Sequence, residues 1–366
     1  MTRIVRKAPG PRKWKPKPLE QAAITFHSSM PGYRPTPLVA LPELAAELGV
    51  AAVFVKDESE RLGLPAFKIL GASWAVNRAL SLRDGYDTPA ESLAELRQRI
   101  DSASLTLVTA TDGNHGHALA RVAALLGLEA RIYVPGGTAA KTVATIASEG
   151  AQVIPSDLIY DDVIHAAAAS TSGRSDELLV QDTAWQGYED IPQWVVDGYA
   201  TLFYEIASQL GGRAIHLVAV PTGVGSLLLA ALQHYRDPAL PPQPAILAVE
   251  PVTAACVTTS LAAGQALSLD TSAPTIMAGL NCGTISTIAW PAIRDGLDVG
   301  IAGIAITDDQ ASSAMHRLHE LGVRAGPCGA AALAGVRAAL EDSDDRAALT
   351  VNEESALVLI STDGPV

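Results

Sequence analysis

Short runs of β-branched and aliphatic residues alternate with longer Ala/Leu-rich stretches along this chain, and glycine or proline punctuates most junctions. That alternation predicts βαβα units, with strands buried in a parallel sheet and helices covering both of its faces. Strands are expected at 51–55, 105–109, 130–134, 152–155, 214–220, 246–250 and 356–360. Helices are expected at 68–82, 115–126, 141–149 and 194–210. The strands at 214–220, 246–250 and 356–360 are almost wholly apolar, as strands covered on both sides must be. With 366 residues, the chain exceeds what one core ordinarily holds. The expected fold class is therefore α/β with two lobes, each a mostly parallel sheet covered by helices. The short βα units over 77–187 read as one compact lobe, and the proline-rich 238–244 as a surface connection.

Composition removes several function classes. Apolar residues are 48% and charged residues 18% of the chain, the profile of a well-buried enzyme. A net charge of −13 argues against nucleic-acid binding, which needs a basic face. One basic segment stands apart: Arg3, Arg6, Lys7, Arg12, Lys13, Lys15 and Lys17 lie among prolines. No apolar signal-peptide core follows it, so it reads as an exposed arm over the body or over a partner subunit. No stretch approaches the roughly 18 to 20 apolar residues of a membrane span. Cys256, Cys282 and Cys328 are far apart and form no disulfide or metal framework, so the expected setting is reducing and cytoplasmic.

Chemistry concentrates in three loops placed where open parallel sheets bind ligands. In the first, Phe67-Lys68-Ile69 crosses a loop-to-helix junction between apolar neighbours. By itself such a lysine is ordinarily a surface group. Desolvated beside a helix N-terminus, its charged form is disfavoured and the amine becomes a nucleophile. The second is Thr111-Asp112-Gly113-Asn114-His115-Gly116-His117, whose glycines allow close backbone approach and whose helix N-terminus suits a carboxylate. A plain Asp/Asn helix cap explains it equally well in isolation. His115 and His117 are two apart on a helix and point to different faces, so no metal site is expected. The third is Pro221-Thr222-Gly223-Val224-Gly225-Ser226-Leu227, directly after an apolar strand and opening a helix. Its amides and the Thr222 and Ser226 hydroxyls suit a phosphate, but it lacks the Gly-Lys-Ser/Thr of a Walker loop.

In this order the three loops resemble the tryptophan-synthase-β-like (fold type II) pyridoxal-phosphate (PLP) enzymes over roughly residues 33–364. Pro35-Thr36-Pro37-Leu38 and Val55-Lys56-Asp57-Glu58 look like that family's opening elements. The resemblance implies a Schiff base between PLP and Lys68, with Phe67 beside it, and Asn114 at the cofactor's 3′-oxygen. It implies Gly223, Val224, Gly225, Ser226 and Leu227 around the phosphate, and Ser361 and Thr362 facing the pyridine nitrogen. It also implies a large PLP-binding domain from 1–76 and 188–366, a small substrate-closing domain at 77–187, and a homodimer. Thr111-Asp112-Gly113-Asn114, Gln181-Asp182-Thr183-Ala184-Trp185 and Met277-Ala278-Gly279-Leu280 resemble the branch that eliminates ammonia from 2,3-diaminopropionate.

That branch implies a carbon–nitrogen lyase acting on a small amino acid, D and/or L, and releasing pyruvate and two ammonia. Lys68, Asp112 and Asp182 are then the catalytic residues, with Thr111, Asp112, Gly113, His115 and Asp182 binding substrate. Other readings stay open: a serine, threonine or hydroxyaspartate dehydratase, a β-replacing synthase, or a non-catalytic PLP-binding homologue. The chain departs from the family at Gly326-Pro327-Cys328-Gly329, where Gly-Glu-Ser-Gly is usual, and ends soon after Ser361-Thr362.

Overall fold

The computed structural model describes residues 4–5, 14–17, 21–100, 105–238, 243–295 and 300–365. Of the basic segment, Lys15 and Lys17 fall among them; Arg3, Arg6, Lys7, Arg12 and Lys13 lie outside, as does 239–242 of the proline-rich connection. The chain divides into two compact units, one of residues 1–19, 35–60 and 202–365, the other of 20–34 and 61–201. The lobe boundary expected at 76/77 falls inside the helix Ile69–Arg83.

The first unit holds a six-stranded sheet of β1 (Leu38–Ala40), β2 (Ala52–Asp57), β7 (Leu217–Pro221), β8 (Ala245–Pro251), β9 (Ile301–Ile306) and β10 (Ala356–Ser361). Its order is β1-β2-β10-β7-β8-β9, and only the β1–β2 pair is antiparallel. Every residue of β7, β8 and β10 is buried, as double helical cover demands. The helix Pro327–Leu340 supplies part of that cover and comes very close: a Cβ at Gly335 would lie 2.5 Å from Val249 Cγ2. Beside β2, Lys56 Nζ donates to Glu205 at 2.6 Å and to the Thr36 carbonyl at 2.8 Å, while the Thr36 hydroxyl donates to Glu58 at 2.6 Å. This buried network ties the Pro35–Leu38 and Val55–Glu58 motifs together, and the Glu58 amide donates to the Ser361 carbonyl at 2.9 Å. Those motifs are thus structural supports for the end of β10.

The second unit holds a four-stranded parallel sheet, β3 (Thr106–Ala110), β4 (Glu129–Val134), β5 (Gln152–Pro155) and β6 (Glu177–Leu179), in the order β5-β4-β3-β6. β3 is central and almost fully buried, and it leads straight into the helix Asn114–Leu126. Among the described residues no helix is long and apolar enough to cross a membrane.

Candidate active site

Lys68 sits at the N-terminal boundary of the helix Ile69–Arg83, and its Nζ donates to Asp182 Oδ2 at 2.5 Å. Its side chain is 20% exposed and that of Asp182 only 3%. Gln181 explains how residues so distant in sequence meet. Its side-chain oxygen accepts from the Ala110 amide and the Thr109 hydroxyl, and its nitrogen donates to the Ala110 carbonyl. The amide therefore pairs with the backbone at the end of β3 as a strand would. Tyr188 adds a second anchor, accepting from the Gln181 amide and donating to the Leu179 carbonyl, its ring stacked on Trp185. Asp182 is held by these neighbours.

The electrostatics differ from the sequence expectation at Lys68. Burial does oppose its charge, but the carboxylate of Asp182, with Asp112 adding less, outweighs burial and raises its pKa. Asp182 therefore favours the ammonium form of this side chain, whereas desolvation alone favours the free amine. Asp182 shows the converse: burial raises its pKa, the charge of Lys68 lowers it by more, and it remains a carboxylate. Asp112 is raised to about 6, chiefly by burial and against the pull of Lys68, with the like charge of Asp182 adding to the rise. The group is poised to hold or release a proton near neutral pH.

The Asp112 loop is built by Thr111. Its hydroxyl oxygen accepts from the amides of Gly113 at 2.9 Å and Gly116 at 3.0 Å. Gly116 has no room for a side chain, since a Cβ would lie 2.3 Å from Thr111 Cγ2 and 2.6 Å from Ile132 Cγ2. Asn114 and His115 open the helix, so their amides face outward from its N-terminus. His115 Nε2 donates to the Val180 carbonyl at 2.8 Å, which fixes its tautomer. Burial lowers its pKa despite Asp182, leaving a neutral ring whose Nδ1 lies 3.9 Å from Asp182 Oδ2 without a hydrogen-bond partner among the described residues. His117 turns elsewhere, to Glu149 at 3.0 Å.

Phe67, Lys68, Thr111, Asp112, Gly113, Asn114, His115 and Asp182 all belong to the second unit. Gly223, Val224, Gly225, Ser226, Leu227, Ser361 and Thr362 belong to the first. There the loop after β7 turns through Gly225, whose φ of +94° is a left-handed conformation, and opens the helix Ser226–Tyr235. At Gly223 a Cβ would lie 3.0 Å from Cys282 Sγ and 3.3 Å from the Gly279 carbonyl oxygen. Thr222 differs from expectation: its hydroxyl donates to the Val220 carbonyl at 2.8 Å, so its proton is already committed.

The hydroxyl oxygens of Ser361 and Thr362 are buried with no hydrogen-bond partner among the described residues. Buried polar atoms of this kind call for a partner, and a pyridine nitrogen is one that a hydroxyl satisfies. The glycine loop and these hydroxyls have the chemistry for the phosphate and ring of PLP, and Lys68, in the second unit, has the chemistry for its aldehyde. At Gly326-Pro327-Cys328-Gly329, the missing glutamate is answered from elsewhere. Asp363 Oδ1 accepts from the Gly329 amide at 2.6 Å, and the Asp363 carbonyl from the Gly326 amide at 2.7 Å. A carboxylate therefore still caps the N-terminus of the helix Pro327–Leu340.

Sequence reasoning missed Tyr199, whose phenol feels the charges of both Lys68 and Asp182. The only available signal was Gly198 inside a helical stretch, a residue that marks close packing.

A fold of two largely parallel, helix-covered sheets, with a half-buried lysine paired to a buried aspartate and a glycine loop after a buried strand, defines a class, and comparison with known proteins agrees. The family model for pyridoxal-phosphate dependent enzymes matches residues 30–363, and the chain belongs to that family. Among its relatives, the diaminopropionate ammonia-lyase of Escherichia coli K12 is 36% identical over 351 residues, covering 93% of this chain and 86% of that protein. The diaminopropionate ammonia-lyase of Salmonella typhimurium is 39% identical over 285 residues, covering 74% of this chain and 69% of that protein. The crystal structure of the Escherichia coli diaminopropionate ammonia-lyase in complex with D-serine superposes with a TM-score of 0.88 at 33% identity, covering 99% of this chain and 94% of that one.

Proposed function

We propose that this chain is a PLP-dependent ammonia-lyase that carries out α,β-elimination on 2,3-diaminopropionate, D and/or L, giving pyruvate and two ammonia. The observation that carries the proposal is the Lys68–Asp182 contact at 2.5 Å with Asp112 held at a pKa of about 6 beside it. When bound, PLP supplies an electron sink for negative charge at the substrate's α-carbon. Lys68 would hold its aldehyde, with Phe67 next to that lysine in the chain, and Asn114 would serve its ring oxygen. Gly223, Val224, Gly225, Ser226 and Leu227 would hold its phosphate, and Ser361 and Thr362 would serve its ring nitrogen.

The chain's own groups do the rest. Lys68 Nζ, once its amine is free, takes the α-proton from one face of the substrate, and the Asp112 carboxylate takes it from the other. Thr111 shapes the loop, and the amides at Gly113, Asn114 and His115 receive the substrate carboxylate. Asp182 and the His115 Nδ1 lone pair are two acceptors 3.9 Å apart, a pairing that suits the second ammonium of diaminopropionate. Serine and threonine carry a hydroxyl there and offer no charge for Asp182 to match.

In the same reading, 77–187 is the small substrate-closing domain and 1–76 with 188–366 the larger PLP-binding one. The protein acts in the cytoplasm as a homodimer; its three cysteines are buried and form no disulfide among the described residues, which suits a reducing setting. Pyruvate release from D- and L-diaminopropionate, set against serine and threonine, tests the assignment. Turnover of diaminopropionate well above the hydroxy amino acids is expected; reaction of serine or threonine alone would refute it.

A further inference from the structure

Tyr199 reaches the neighbourhood of Lys68 through a crossing of two helices at paired glycines. The helices Ile69–Arg83 and Asp190–Leu210 meet where a Cβ on Gly198 would lie 2.5 Å from the Leu70 carbonyl oxygen and 2.9 Å from Gly71 Cα. Only glycine permits that approach. It lays the Tyr199 ring over the turn that begins at Lys68: a Cβ on Gly71 would meet Tyr199 Cε1 at 2.6 Å and Cζ at 2.8 Å. The same ring packs on Phe67 with centroids 4.8 Å apart. Phe67 and Gly71 precede Lys68 by one residue and follow it by three, so the Tyr199 ring packs on both sides of Lys68 along the chain. The Tyr199 hydroxyl is buried, the residue being 1% exposed, and has no hydrogen-bond partner among the described residues. Burial, only partly countered by Lys68, keeps that phenol protonated.

We infer that Tyr199 is a positioning residue for Lys68, its hydroxyl oxygen holding the Lys68 amine once that amine has left Asp182. The distinction from Asp182 is one of charge. A carboxylate locks the lysine as an ammonium, whereas a neutral phenol oxygen accepts an N–H from either protonation form. With Tyr199 as partner, the amine keeps its orientation and presents its lone pair. The inference rests on Lys68 being the lysine that carries the cofactor.

The test uses the full-length protein stripped of PLP and then re-exposed to it. Absorbance follows Lys68 as its amine condenses with the aldehyde and one water leaves. Tyr199→Phe is expected to slow this capture about tenfold, which is about 1.4 kcal/mol. It is also expected to lower kcat about tenfold at nearly constant KM, with Tm at or above wild type. A hydroxyl that only filled space would behave otherwise, since removing an unsatisfied buried group leaves function alone and is neutral or stabilising. Wild-type capture and kcat, or losses matched by a lower Tm, overturn the role given to Tyr199. Lys68→Ala separates the premise from the inference. Wild-type capture in Lys68→Ala removes the premise; absent capture there with normal capture in Tyr199→Phe removes only Tyr199.

Discussion

At the scale of single residues, the site is a contest between burial and charge. Asp112, half-buried, and Asp182, buried, are carboxylates near one lysine, yet only Asp182 touches it, and their pKa values are driven apart. Asp112→Asn is therefore expected to abolish turnover of one diaminopropionate isomer, the D form, while the L form survives in part; equal losses would make Asp112 a binder of substrate. The pH dependence follows from the same shift. Proton removal by Asp112 needs its carboxylate, so kcat/KM for the D isomer should fall as pH drops below about 6. Stability runs the other way. Raised from 3.8 to about 6, the folded-state group holds a proton that the unfolded chain has released, so stability falls as pH rises through that window. Asp112→Asn escapes this loss: thermal melts should find it more stable than wild type at neutral pH and equal to it near the acid end.

At the scale of elements, loops are set by side chains that complete what strands and helices leave open. Thr111 satisfies two amides at the start of the helix Asn114–Leu126. Thr111→Val keeps the shape and removes the acceptor, and should cost about 1–3 kcal/mol in denaturant unfolding and raise KM as the loop loosens. Legibility in the sequence tracked burial. β7, β8 and β10 were readable because both their faces are covered, and the site loops follow such runs. β1 and β6 have only three residues each, too few for a period to emerge, and β9 is broken by Gly303. Lys68 and Asp112 could be named from their motifs. Their protonation states could not, because the raised pKa of Lys68 depends on Asp182, 114 positions away. Tyr199 escaped for a related reason: the Gly71–Gly198 crossing that places it is a tertiary contact with no local pattern.

Across the whole molecule, each unit has its own sheet and an apolar core. A ligand bound only by the folded state stabilises it by mass action, about 2.7 kcal/mol at a hundredfold excess over Kd. Stripping PLP should thus lower Tm by several degrees, and re-addition should restore it in wild type but far less in Lys68→Ala. An unchanged Tm after stripping would mean that the residues named for PLP do not hold it.

Chemical trapping identifies the lysine that carries the cofactor. Borohydride reduction of the full-length protein, followed by peptide mass mapping, should find the phosphopyridoxyl group on Lys68. The buried Lys56, already paired with Glu205, should be unmodified. A label on another lysine, or none at all, would contradict the account.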